Sequence, residues 1–189
     1  MLTKKIIASV IGIAALSMFA AHNNALAQAS AKTSATASAA LSKADQKIVA
    51  DMAIANMAEI EAGKMAVSKS QNADVKAFAQ KMIDDHTKAL NDVTTLAQSK
   101  GVTLPTEVDA EHKAMAAKLD KLSGDAFDKA YIADAGVSDH GKVHAKLKGF
   151  NAKAKDPDVK ALAAKMLPPV EEHLHMAKKL HGAKSDKAK

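Results

Sequence analysis

The sequence predicts an all-α protein: one bundle of four long helices, with a short helix in the connection between the second and the third. Three observations carry that reading. Apolar residues recur every three or four positions along four long stretches, the period of a helix that buries one face. Helix start and stop residues punctuate the stretches, at Ser42, Asn72, Gly101, Ser123-Gly124 and Asp156-Pro157. The 24-residue connection 101–124 is long enough to carry the chain back along the bundle.

The chain opens Met1-Leu2-Thr3-Lys4-Lys5, continues as an apolar run from Ile6 to Ala21 and reaches Ala25-Leu26-Ala27. A basic start, a short apolar centre and small residues before a cleavage point mark residues 1–27 as a Sec signal peptide, cut after Ala27. An apolar run of about 16 residues falls short of the roughly 20 needed to cross a bilayer, which argues against an uncleaved anchor. With no cysteine to acylate, the chain is not a lipoprotein. The expected location is the periplasm or the cell exterior, with no transmembrane span after cleavage. Without disulfides, stability there must come from packing. Residues 28–41 read as a flexible leader, because up to residue 40 they carry no large apolar side chain. The bundle domain is expected over 42–182, and the Lys-rich segment 183–189 is expected to fray.

The first helix starts at the capping-box-like Ser42-Lys43-Ala44-Asp45 and runs to about Ser70, with Ile48, Met52, Ala55, Glu59, Ala62 and Ala66 on one stripe. Asn72 caps the second, which ends at Gly101 and carries Val75, Ala79, Met82, His86, Ala89, Val93 and Leu96. The short helix is placed at about 107–122, with His112 on its apolar side. The third long helix is expected from about Asp125 to Lys153, burying Ala133, Val137, His140, His144 and Leu147. Asp156-Pro157 opens the fourth, which carries Val159, Leu162, Met166, His173, Ala177 and Leu180 to about His181. Pro168-Pro169 inside it is expected to kink the helix, with a break as the alternative. Residues 73–82 and 157–166 share seven of ten identities, as a duplicated helical hairpin would.

Each long stripe is interrupted once near mid-length by an ionisable residue: Glu59, His86, His140 and His173. A burial stripe does not carry such groups unless they are paired or bind something. Glu59 and His86 lie about 12 and 15 residues from their shared turn, which at about 1.5 Å per residue puts them within about 5 Å of one height. His140 and His173 lie about 15 and 17 residues from theirs, so the four meet in one layer of a bundle with a single long crossover, the ferritin-like arrangement. Three imidazoles and a carboxylate suit one transition-metal ion, with Fe, Zn, Mn and Cu as candidates and His144 as an additional ligand. The di-iron pattern needs Glu-x-x-His, yet Ile83 and Val170 stand three before His86 and His173, so a dinuclear oxidase is disfavoured. Met52, Met82 and Met166 near the layer read as core filler rather than as soft ligands for copper. An acid precedes each histidine (Asp85, Asp139, Glu172), and adjacent residues point about 100° apart, so these acids are expected to face water or lysines, with support of the metal ligands by hydrogen bonding as the alternative.

Composition excludes other classes. All 27 basic residues are lysines, aromatic residues are 3% of the chain, and nucleic-acid binding is therefore not expected. The net charge of +6 reads as a solvated surface, with attachment to envelope components as the partner class left open. No nucleophile–base–acid arrangement stands out, so no catalytic residue is assigned.

Several segments together resemble a bacterial secreted family known only as domain of unknown function 4142. They are Ala58-Glu59-Ile60-Glu61-Ala62-Gly63, Phe78 to Met82 with Asp85-His86-Thr87, Gly101 to Pro105, Leu122 to Asp128 with Tyr131, Asp139-His140, and Leu167-Pro168 with Glu172-His173-Leu174. The resemblance spans 45–181. It implies a ferritin-like four-helix fold and a secreted location, names no activity, and points to Glu59, His86, His140 and His173, with His112 and His144 as weaker matches. Pro169 and His175 are particular to this chain. Two functions stay open: a metal-binding bundle, or a non-enzymatic envelope or stress-related protein in which the Glu/His cluster is a buried hydrogen-bond network. The oligomeric state is not readable from the sequence.

Overall fold

A computed structural model of the chain describes residues 40–186. The expected signal peptide and nearly all of the expected leader lie outside the described residues; Leu41, at the leader's end, is buried in the core. The helices are α1 (Lys43–Lys69), α2 (Ala73–Ser99), α3 (Ala110–Asp120), α4 (Gly124–Tyr131), α5 (His140–Lys153) and α6 (Pro157–Asp186). A π-helical stretch, Ile132–Asp139, joins α4 to α5 without a break. The four long members of the bundle are thus α1, α2, α4–α5 and α6. Among the described residues there is no strand, and no helix is long and apolar enough to cross a membrane.

Local chemistry fixes the ends. The Ser42 hydroxyl accepts from the Asp45 backbone N–H at 3.1 Å. Buried Asp45 in turn accepts from the backbone of Lys155 (3.0 Å) and Asp156 (3.3 Å), tying the start of α1 to the α5–α6 turn. Asn72 accepts from the N–H groups of Asp74 and Val75, and Asp156 from those of Asp158 and Val159. Each cap satisfies donors that the first helical turn leaves free. Gly101, at φ 66°, closes α2 in the left-handed conformation, and the Val102 N–H reaches back to the Ala97 carbonyl at 2.8 Å.

The proline pair is accommodated inside a continuous helix rather than ending it. Prolines at 168 and 169 remove the donors for the carbonyls of Ala164 and Lys165, and both of those residues are exposed, where water can serve instead. Likewise α6 runs through Asp186, into the segment expected to fray.

The third long helix departs from expectation. Its inward face is Ile132, Ala135, Gly136, Asp139, His140, Val143 and Leu147, whereas Ala133, Val137 and His144 are only half-buried. The π-helical widening shifts the phase, so that Ala133, Val137 and His144 leave the inward face while Asp139 and His140 are both buried.

The core has two apolar clusters. One gathers Ile48, Val49, Met52, Val93, Leu147, Val159, Met166 and Val170; the other gathers Val75, Phe78, Met82, Leu119, Phe127, Tyr131, Ile132 and Ala177. On the four long members Glu59, His86, Asp139, His140 and His173 fall between the two sets, so a polar layer divides the core, while buried Asp45 and Asp128 lie outside that layer.

Candidate metal centre

His86 comes from α2, His140 from the start of α5 and His173 from α6. All three are buried, at 5%, 1% and 1% exposure. One ring nitrogen of each lies within 4.8 Å of those of the other two, and the ring centres are 5.3 to 5.4 Å apart.

The partners of the rings fix their tautomers. His140 Nδ1 lies 2.9 Å from the Ala135 carbonyl, which can only accept, so Nδ1 carries the proton and Nε2 is a bare lone pair. His173 Nε2 lies 3.0 Å from the Asp85 carboxylate, which leaves Nδ1 as its lone pair, buried and without a hydrogen-bond partner. His86 Nδ1 lies 2.9 Å from Asn56 Oδ1. The Asn56 amide is held that way round because its Nδ2 donates to the Met52 carbonyl at 2.7 Å. His86 therefore also presents a bare Nε2, 3.4 Å from His140 Nε2.

Lone pairs aimed at each other repel unless a proton or a cation lies between them. Burial, reinforced by the neighbouring rings, pushes His86 well below the usual imidazole range. Burial also lowers His140, to about 4, and His173. All three rings are neutral at pH 7, the form that binds metals. Nitrogens bound to one ion at about 2.0–2.1 Å and roughly tetrahedral angles stand about 3.4 Å apart, the separation of His86 Nε2 and His140 Nε2. The Asp85–His173 contact is the carboxylate–imidazole pair that commonly backs a metal ligand.

The carboxylates divide. Burial opposes ionisation of Asp85, but Lys81 at 2.9 Å and His173 more than offset it and hold its carboxyl at about 2. Glu59 Oε1 stands 3.4 Å from His140 Nδ1, on the side of the ring away from the bare nitrogen. Burial, then the facing Asp139 carboxylate, pushes Glu59 well above the usual carboxyl range, so it is protonated. Asp139 is also buried, yet His112 and the Glu59 proton hold its pKa low. His112 Nδ1 lies 2.6 Å from Asp109 and Nε2 lies 3.4 Å from Asp139.

A family model described as Domain of unknown function (DUF4142) matches residues 30–180. The chain belongs to that family. Solved structures similar to this DUF4142 protein include a DUF305 fragment from Deinococcus radiodurans, at 14% identity and TM-score 0.68, covering 76% of this chain and 99% of that one. A candidate secreted DUF305 protein from Streptomyces coelicolor matches at 14% identity and TM-score 0.64, covering 75% and 94%. CopM in its Cu(II)-bound form matches at 17% identity and TM-score 0.62, covering 74% and 96%. At these identities the likeness is one of fold. Comparison with curated proteins finds no significant match.

Of the residues expected in the site of this DUF4142 protein, His86, His140 and His173 come together. Glu59 is in the same layer but outside that group, and half-buried His144 also lies outside it. The acids expected to face water behave differently: Asp85 and Asp139 both engage buried histidines of other helices, and only Glu172 faces out, toward Lys81 at 3.4 Å. Asn56 was not anticipated. Its signal is its spacing, three residues before Glu59 on the buried side of α1.

Proposed function

We propose that this protein binds a single transition-metal ion through His86 Nε2, His140 Nε2 and His173 Nδ1, in the periplasm or outside the cell. One observation carries the reading: three neutral imidazoles converge while the other nitrogen of each is engaged by Asn56, the Ala135 carbonyl or Asp85. A purely hydrogen-bonded network would need a proton between the rings, and burial opposes the imidazolium that would supply it. Glu59 is a supporting residue beside His140 rather than a ligand.

An all-imidazole set suits copper, zinc or iron better than manganese, which favours oxygen. The shared fold with CopM in its Cu(II)-bound form makes copper the first ion to test. The opening segment 1–27 and the candidate secreted relative support export.

The test is to export the protein, purify it without a histidine tag or chelator, and measure bound metals by mass spectrometry beside a His140→Ala variant of verified helicity. Near-stoichiometric metal in the parent and its loss in the variant are expected. A parent that carries no metal and takes up none on dialysis against Cu(II), Zn(II) or Fe(II) overturns the reading in favour of a structural polar layer.

A further inference from the structure

The three rings are sealed inside the bundle, so an ion needs a path to them. Two polar routes reach the layer from the surface. At the first, Asp85 touches His173, but its carboxylate is already held by Lys81 at 2.9 Å, Lys88 at 3.6 Å and the ring at 3.0 Å. Two ammonium groups therefore stand against this carboxylate and oppose the approach of a cation.

The second route starts at a cavity of about 300 Å³ between α3 and the π-helical stretch. Its rim carries two ion pairs, Lys118–Asp134 at 2.6 Å and Lys142–Glu111, which leave it nearly neutral. Its lining includes His112 and Asp139, at 5% and 6% exposure. His112 Nε2 meets Asp139 Oδ1 only at 3.4 Å, and Asp139 in turn faces the protonated Glu59. Behind Asp139 stands Glu59, which reaches to 3.4 Å from His140. The polar file thus runs from the cavity to the Nδ1 edge of the His140 ring, whereas Val143, Met166 and Val170 beside the rings are apolar.

We propose that this cavity is the port through which a metal ion reaches the three histidines, and that His112 and Asp139 are its transfer ligands. The inference rests on the metal-binding reading above. A cation that displaces the proton on His112 Nε2 meets an imidazole and a carboxylate, a weak two-point site suited to holding it briefly and releasing it inward. Positive charge on the rim is tied up in ion pairs, so it does not repel the ion.

The test separates rate from affinity. The protein is freed of metal and mixed with Cu(II); loading is followed by stopped-flow absorbance and equilibrium affinity by competition. Ala114→Trp plugs the cavity from an exposed position on α3, His112→Gln removes the transfer ligand, and Lys88→Trp shields the Asp85 side. The first two should slow loading about tenfold or more with affinity within about threefold, while Lys88→Trp loads at nearly the parent rate. Parent-like rates for both Ala114→Trp and His112→Gln, or slowing confined to Lys88→Trp, overturn the port while leaving the metal site intact. A parent that binds no Cu(II) at equilibrium instead sinks the metal-binding reading, and the port with it.

Discussion

The amide of Asn56 can serve His86 only one way round, because its Nδ2 is committed to the Met52 carbonyl. Replacing it by leucine should leave the helix intact and free the His86 ring, weakening metal binding about 10- to 100-fold, the usual cost of losing such an orienting partner. A competition titration reads this, and unchanged affinity would show that packing alone aims the ring. The pH response of the metal-free protein follows from groups in the same layer. His86, His140 and His173 stay uncharged in the fold below the pH at which they protonate in the unfolded chain. Their contribution is therefore complete above about pH 6.5 and is lost as pH falls toward the lowered folded values, at up to about 1.4 kcal/mol per pH unit for each ring. Urea titrations between pH 7 and 4.5 should show that loss, and a flat profile would contradict neutral buried rings. Glu59 works in the opposite sense. Its raised value makes its contribution complete below about pH 4.3 and progressively lost as pH rises, so Glu59→Gln should gain on the parent toward neutrality. Glu59 and the three histidines were legible in the sequence because each interrupts an apolar stripe. Asn56, Asp85 and Asp139 were not assigned these roles, because their partners lie on other helices or turns and no spacing along the chain announces them.

At the scale of elements, the π-helical stretch decides the site. It turns Asp139 and His140 inward together and leaves the Ala135 carbonyl to accept from the His140 ring. It also packs close to α6. A Cβ on Gly136 would lie 2.9 Å from the Cβ of Ala177, well inside contact distance. Gly136→Ala should therefore push this stretch away from α6, separating His140 from His173, at about 1–3 kcal/mol of stability and a loss of metal affinity. Adding Ala177→Gly removes the clashing atom and should restore much of both. Thermal melts and metal titration of the single and double variants check the pair, and failure of the second change to rescue would place the cause elsewhere. The helices themselves could be read from their caps, since Ser42, Asn72 and Asp156 mark chemistry that is local. The π-helical stretch could not. An eight-residue change of winding leaves no mark in composition, and its cause is tertiary: a ring that needs a carbonyl and a neighbouring helix that needs a glycine.

The molecule as a whole is two apolar clusters separated by a polar layer, with helices of both hairpins contributing to that layer. His86 belongs to the α1–α2 hairpin, and His140 and His173 belong to the pair formed by α5 and α6. An ion bound to all three would be selective for the folded state, so saturating it at about 100 times its dissociation constant should add about 2.7 kcal/mol. For a domain of this size that is a rise in melting temperature of roughly 5–10 °C, reversed by chelator. Calorimetry with and without Cu(II) measures it, and an unchanged melt at saturating, stoichiometric copper would mean that the unfolded chain binds the ion as tightly as the fold does. The four-helix architecture was legible because its periodicity is repeated over the whole chain. The division of the core was less so, because it depends on where four separate interruptions fall once the helices are side by side.

The chain has no cysteine, and in an oxidising compartment a disulfide would have clamped its halves together for good. Three imidazoles drawn from both hairpins allow a clasp of another kind, one that opens whenever the surroundings run short of the ion. The protein's lifetime outside the cytoplasm would then track metal supply, with the empty form the first to be unfolded and degraded.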